Sequence, residues 1–208
     1  MISFKKLALT GALALTAASS FATTLTFDSF DASQSLVNLA PTSYGGFSWN
    51  NFLVSDNTGN TGPGYTTGAV SGINTAFNGG GDPASFSSTT PFTLNEAFFA
   101  GAWNDGLNLR VVATTADQQT LSKDLTLNTG TVTDVVFNWS NLSSVSFVSS
   151  GGTRSPNAPV GKTGGTQFTM DNLTVNATAP VPEPETYALL LAGMGLVGAA
   201  VRRRKAAP

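Results

Sequence analysis

Three tryptophans and a scatter of carboxylates are the residues of this chain with chemistry to offer. Trp49, Trp103 and Trp139 each carry an indole that can stack on the apolar face of a sugar ring while its N–H edge stays polar. Trp103 runs into Asn104, Asp105 and Gly106, a turn that sets amide and carboxylate groups beside the ring, and it is the strongest candidate for a sugar contact. Core packing competes with ligand binding at all three positions, because large aromatics in strand-like segments are mostly buried.

The carboxylates point to less. Glycoside cleavage needs two acids flanking one bond, one of them held protonated. Asp28, Asp31, Asp56, Asp82, Glu96, Asp105, Asp117, Asp124, Asp134 and Asp171 are available, and most border Gly, Asn, Ser or Thr, where an aspartate caps and bends backbone. The expectation is therefore a protein that is not an enzyme. A secreted carbohydrate-active hydrolase or lyase using Asp/Glu is the alternative. Asp28 near the first strand and Asp171 in the last would share a Ca2+ ion if the terminal strands are neighbours. The stretch Asp56, Asn57, Thr58, Gly59, Asn60 lacks the later ligands of an EF-hand, and the glycines at 59–64 neither follow a strand nor precede a Walker lysine.

Other chemistry is excluded by composition. The 208 residues include no histidine and no cysteine, which removes Ser-His-Asp and Cys-His nucleophiles, thiolate and imidazole metal sites, and disulfides. Only 11% of residues are charged, and the net charge of -2 averages unlike segments. Residues 23–180 hold ten acids against Arg110, Lys123, Arg154 and Lys162, while both ends are basic. An acidic body with four scattered cations has no stripe for phosphates, so nucleic acid is not an expected partner.

The ends read as addresses. Lys5 and Lys6 precede an apolar run over 7–18, and Ser20 and Ala22 place small residues where signal peptidase needs them. Residues 1–22 are expected to be a helical secretory signal cut between Ala22 and Thr23. At the other end, Val181, Pro182, Glu183, Pro184 and Glu185 form an extended linker over 179–186, since proline fixes φ and removes a donor. An uncharged Leu/Ala/Gly stretch follows at 187–201, then Arg202, Arg203, Arg204 and Lys205 within a basic tail over 202–208. As a helix the stretch reaches about 22 Å, a short transmembrane segment whose basic end stays in the cytoplasm.

This tripartite tail resembles the PEP-CTERM sorting signal, on the residues Pro182, Glu183, Pro184, the apolar segment from Tyr187 and the terminal cluster Arg202 to Lys205. The resemblance implies export through the inner membrane, transient anchoring there, and processing by an exosortase near the Pro-Glu-Pro. It also implies residence at the cell surface or in an extracellular, exopolysaccharide-rich biofilm matrix, with a binding or structural role.

The elements that must position the candidate residues lie between. Residues 23–178 make one domain by length, rich in Thr, Ser, Asn and Gly. Apolar-polar alternation recurs at 25–27, 47–49, 92–94, 107–109, 121–127, 132–137, 145–148 and 168–175, separated by glycine- and asparagine-bearing turns. Eight to ten short strands and no helix predict an all-β fold, an antiparallel β-sandwich of jelly-roll type. Residues 59–68 and 151–165 read as long loops. The closing run 168–173 is similar to the last strand of jelly-roll sugar-binding modules. Four Asn-x-Ser/Thr triplets, at Asn138, Asn141, Asn172 and Asn176, fit a polar sheet surface.

Overall fold

The computed structural model describes residues 22–58 and 62–176. The signal segment, the sorting motif with its apolar stretch, and the basic cluster lie outside these residues. Among the described residues no helix is long and apolar enough to cross a membrane.

Ten strands pair antiparallel throughout: β1 (Thr23–Leu25), β2 (Val37–Asn38), β3 (Ser48–Asn50), β4 (Phe52–Asp56), β5 (Asn74–Asn78), β6 (Ala84–Gly101), β7 (Asn104–Thr115), β8 (Thr120–Leu127), β9 (Thr133–Arg154) and β10 (Phe168–Val175). Their order is β2-β4-β5-β10-β6-β9-β7-β8, with β1 added beside β10 and β3 beside β6. The expected all-β, sandwich-like architecture is present. One short helix, α1 (Pro63–Gly68), corrects the expectation of an unbroken loop there, and Pro63 starts it with φ already set. The second expected loop is also shorter than read, because β9 continues through Gly151 and Gly152 to Arg154.

The two layers are made by the same two long strands. Residues 92–99 of β6 pair with 133–142 of β9 in one layer, which β10, β5, β4 and β2 extend. Residues 84–87 of β6 pair with 144–147 of β9 in the other, which β7, β8 and β3 complete. Between Ser87 and Phe92 the ladder breaks, and Pro91, which has no N–H to donate, sits in that gap. On β9 two register shifts each insert one extra residue opposite β6, and Asn138 and Asn141 there have φ of 51° and 58°. Left-handed backbone is tolerated by asparagine because its short amide bonds locally. Asn172 (φ 48°) makes the corresponding shift in β10. Three of the four triplet asparagines are thus bulge residues that bend their strands, and Asn176 follows the end of β10.

The layers close on phenylalanine. Phe147 of one layer stacks at 5.6 Å from both Phe52 and Phe168 and at 6.1 Å from Phe99 of the other. All four rings are buried, with Phe86, Leu94, Leu109 and Val111 around them. Each ring contributes about 1.5–3 kcal/mol by burial. This core holds a chain that has no disulfide.

The bulge geometry sets an expectation for Asn138. Asn138→Gly should leave chemical-denaturation stability almost unchanged. Asn138→Val should lower it by about 1–2 kcal/mol, since a β-branched residue resists the left-handed region. Equal effects of the two would place the cost in the lost amide rather than in the backbone.

Candidate functional site

The chain crosses between layers from the end of β6 to the start of β7 through two residues, Ala102 and Trp103. Both are pinned by backbone bonds. The Ala102 N–H donates to the Gln167 carbonyl (2.9 Å), the Gly64 N–H to the Ala102 carbonyl (3.1 Å), and the Ser155 N–H to the Trp103 carbonyl (2.9 Å). The indole is half-buried against a small second cluster of Tyr65, Phe77 and Ala102, with Tyr65 edge-on at 6.0 Å. Burial pushes the Tyr65 phenol up to about 12, and a hydrogen bond from the Trp103 side chain offsets part of that rise.

The rest of Trp103 borders a cleft of about 510 Å³, lined also by Gly80, Asn104 and residues 162–167. The loop wall can approach because it carries glycine. A Cβ on Gly164 would lie 2.3 Å from Asn104 Oδ1, and one on Gly165 would lie 2.2 Å from Gln167 Oε1 and 3.3 Å from Trp103 Cδ1. The approach is fixed from both sides: the Gly165 N–H donates to Asn104 Oδ1 (3.0 Å) and Asn104 Nδ2 donates to the Gly151 carbonyl (3.0 Å). Beneath the loop, Arg154 donates from Nε to the Lys162 carbonyl (2.7 Å) and from its terminal nitrogens to the carbonyls of Ser155, Ala158 and Pro159. Gln167 Oε1 is buried with no hydrogen-bond partner. An orphaned acceptor beside an aromatic edge suits a ligand that brings hydroxyl donors.

The other tryptophans lie elsewhere. Trp49 is 4% exposed, donates its indole N–H to the Tyr44 carbonyl (2.9 Å) and touches the rings of Phe27, Phe47, Phe52 and Phe86. It offers a ligand no face; packing explains it. Trp139 is half-buried against Phe137 (4.9 Å) on β9 and does not line the cleft.

Asp28 and Asp171 do converge, on the loop between α1 and β5. Asp171 accepts from the N–H groups of Val70, Ser71 (both 2.8 Å) and Asn172 (2.7 Å), and Asp28 from those of Ile73 and Asn74 (both 3.1 Å). The Ser71 hydroxyl lies within 3.4 Å of both carboxylates. Burial pushes the Asp171 carboxyl up against the pull of its N–H donors. These bonds give the two acids a loop-clamping role, and no group of three or more acids able to hold a metal ion occurs among the described residues.

Asp105, next to Trp103, is turned the other way. It accepts from the Thr129 N–H (2.7 Å) and hydroxyl (2.8 Å), and the N–H bond chiefly holds its carboxyl below the usual range. Among the described residues no carboxylate lines the cleft. Glu96 and Asp134, on the neighbouring strands β6 and β9, do meet. Their hydrogen bond, aided by desolvation and charge repulsion, holds the Glu96 carboxyl above its ordinary value.

Sequence reasoning found Trp103 and Asn104 but not residues 162–167, which stand some sixty positions downstream in a segment without periodicity. The signal available was Gly164-Gly165 followed by Thr166 and Gln167 just ahead of the last strand.

Residues 180–205 match the model of the PEP-CTERM protein-sorting motif. The tail is thus the sorting signal that its residues suggested, and it marks the chain for export toward the cell surface. No curated protein matches the chain. Among solved structures, TmCBM61 in complex with beta-1,4-galactotriose is similar over 62% of this chain and 85% of its own, at 8% identity and a TM-score of 0.36. That likeness is too slight to carry an argument.

The Glu96–Asp134 pair generates a pH prediction. A carboxyl raised in the folded state contributes stability that is present below its unfolded pKa and is lost as pH rises through the raised value. Glu96→Gln keeps a donor and removes the repulsion. It should melt higher than wild type at pH 7, with the gap closing on acidification through the carboxylate range. A gap independent of pH would dissociate the effect from this pair.

Proposed function

We propose that this chain is an exported, exosortase-processed surface or matrix protein whose jelly-roll-like sandwich binds exopolysaccharide through the Trp103 cleft without cleaving it. One observation carries the reading: a half-exposed indole borders a cleft walled by amides, hydroxyls, glycine backbone and Lys162, with no carboxylate among the described lining residues. Sugars ask for that combination, an apolar surface for the ring and neutral donors and acceptors for its hydroxyls.

The placement of the ends supports the same reading. The cleft immediately precedes β10 and the sorting tail follows it, so the two lie at opposite ends of a strand spanning about 26 Å. Thr23, at the expected signal-peptide boundary, pairs with Val175 at the tail end. The proposed domain plan is unchanged: signal over 1–22, sandwich over 23–178, Pro-rich linker over 179–186, membrane segment over 187–201 and basic tail over 202–208.

Binding is tested by titrating the full chain against soluble polysaccharides. Trp103→Ala should lower affinity about tenfold, or ~1.4 kcal/mol, while Trp49→Phe leaves affinity unchanged in folded protein. Release of reducing ends from any bound polysaccharide would move the assignment to the hydrolase class. Sorting is tested separately, in a host that carries the exosortase. Deletion of Pro182, Glu183 and Pro184 should leave a larger, membrane-held form on an immunoblot, and an unchanged mature size would count against processing at this motif.

A further inference from the structure

The sandwich domain has four cations, and three of them are committed. Arg110 pairs with Asp124 (3.3 Å) across β7 and β8. Lys123 donates to the Val136 carbonyl (3.1 Å) and lies 5.8 Å from the Phe137 ring centre. Arg154 spends its guanidinium on the carbonyls of Ser155, Ala158, Pro159 and Lys162. Lys162 alone has an ammonium with neither an ion pair nor a hydrogen bond among the described residues, and it stands in the wall of the Trp103 cleft.

Its position is built rather than incidental. Arg154 grips the Lys162 carbonyl at 2.7 Å, and the Lys162 N–H donates to the Pro159 carbonyl at 3.1 Å, so the backbone that carries the ammonium is held at two points. The acids nearby do not neutralise it. Asp105 is turned onto Thr129, and Asp82, whose carboxylate approaches Gly80, does not line the cleft. In a body with ten acids, the one uncommitted positive charge faces a cleft whose other groups are uncharged.

We infer that the cleft selects an anionic sugar, a unit stacked on Trp103 whose carboxylate or sulfate group is met by Lys162. This rests on the sugar-binding reading of the cleft and adds the charge class of its ligand. Neutral hydroxyls are served by Thr163, Thr166 and Gln167, while the charge of the ammonium adds attraction for a ligand that carries an anionic group. An exposed lysine is worth little for affinity alone but discriminates between charged and uncharged forms of one backbone.

The test uses the full chain and two matched pairs of polymers: polygalacturonate with fully methyl-esterified pectin, and dextran sulfate with dextran. In at least one pair the anionic member should bind more tightly, and added salt should erode the difference. The pair that responds separates carboxylate from sulfate as the source of the charge. Lys162→Ala should weaken binding of that anionic member about fivefold, and Lys162→Arg should restore most of it. Lys123→Ala, which removes the same charge outside the cleft, should change it less than about twofold. Equal losses from Lys162→Ala and Lys123→Ala would overturn the inference, as would equal binding of charged and uncharged members. If the uncharged polymers bind and Trp103→Ala abolishes that binding while Lys162→Ala does not, sugar binding stands and charge selection falls. If no polymer binds, both fall together.

Discussion

The structure depends on one constraint: two long strands must belong to both layers of a sandwich at once. β6 and β9 pair along nearly their whole length, and each passes from one layer into the other. A regular ladder of that length would be a flat ribbon with one buried face and no second layer to cover it. Pro91 breaks the ladder on β6, and Asn138 and Asn141 each insert a residue on β9. Only after those irregularities can Phe147 turn inward to meet Phe52, Phe99 and Phe168, with Phe86 packed against Phe147 and Phe92. With no cysteine in the chain and one ion pair among the described residues, that aromatic contact carries the cohesion that small exported domains often take from disulfides.

This explains what was legible in the residues and what was not. Period-two alternation marked residues 107–109 and 121–127 because their leucines turn toward the core, and it marked 168–175 although residues 168–171 are buried on both faces; all three lie in strands. The runs 132–137 and 145–148 looked like separate strands, since the bulge asparagines between them carry the chemistry of turns; they are one strand. β5 escaped notice because Asn74, Thr75 and Asn78 are polar, yet every residue of it is buried. Its polarity is spent inside the protein. Asn74 donates to the carbonyls of Phe27 and Phe30, while Asn78 donates to the Asp82 carbonyl and Ser149 Oγ and accepts from the Phe168 N–H. No local pattern announces a buried strand whose side chains bond to partners as distant as Ser149 and Phe168, and Asn74 Oδ1 is buried there without a partner.

The site divides in the same way. Trp103 and Asn104 could be singled out because the turn that holds them is local, whereas Trp49 and Trp139 have the same residue type without the cleft. The opposite wall comes from a glycine-bearing loop whose place is set by Asn104, by Arg154 and by backbone bonds to Ala102 and Trp103. Asp28 and Asp171 were legible as a pair, because the terminal strands are indeed neighbours. The use of that pair was not. The loop entering β5 presents backbone N–H groups to both carboxylates, which satisfy them, and the same oxygens that suggested an ion hold the loop instead.

β10 ties the parts into one device. It begins directly after the loop wall of the cleft, supplies Phe168 and Met170 to the core and Asp171 to the loop clamp, and pairs with β1 at its end. A strand buried between neighbours on both sides is among the stiffest elements a small domain has. The charge of the body is sparse. With three of its four cations committed internally, the surface has little to hold it nonspecifically to a charged matrix.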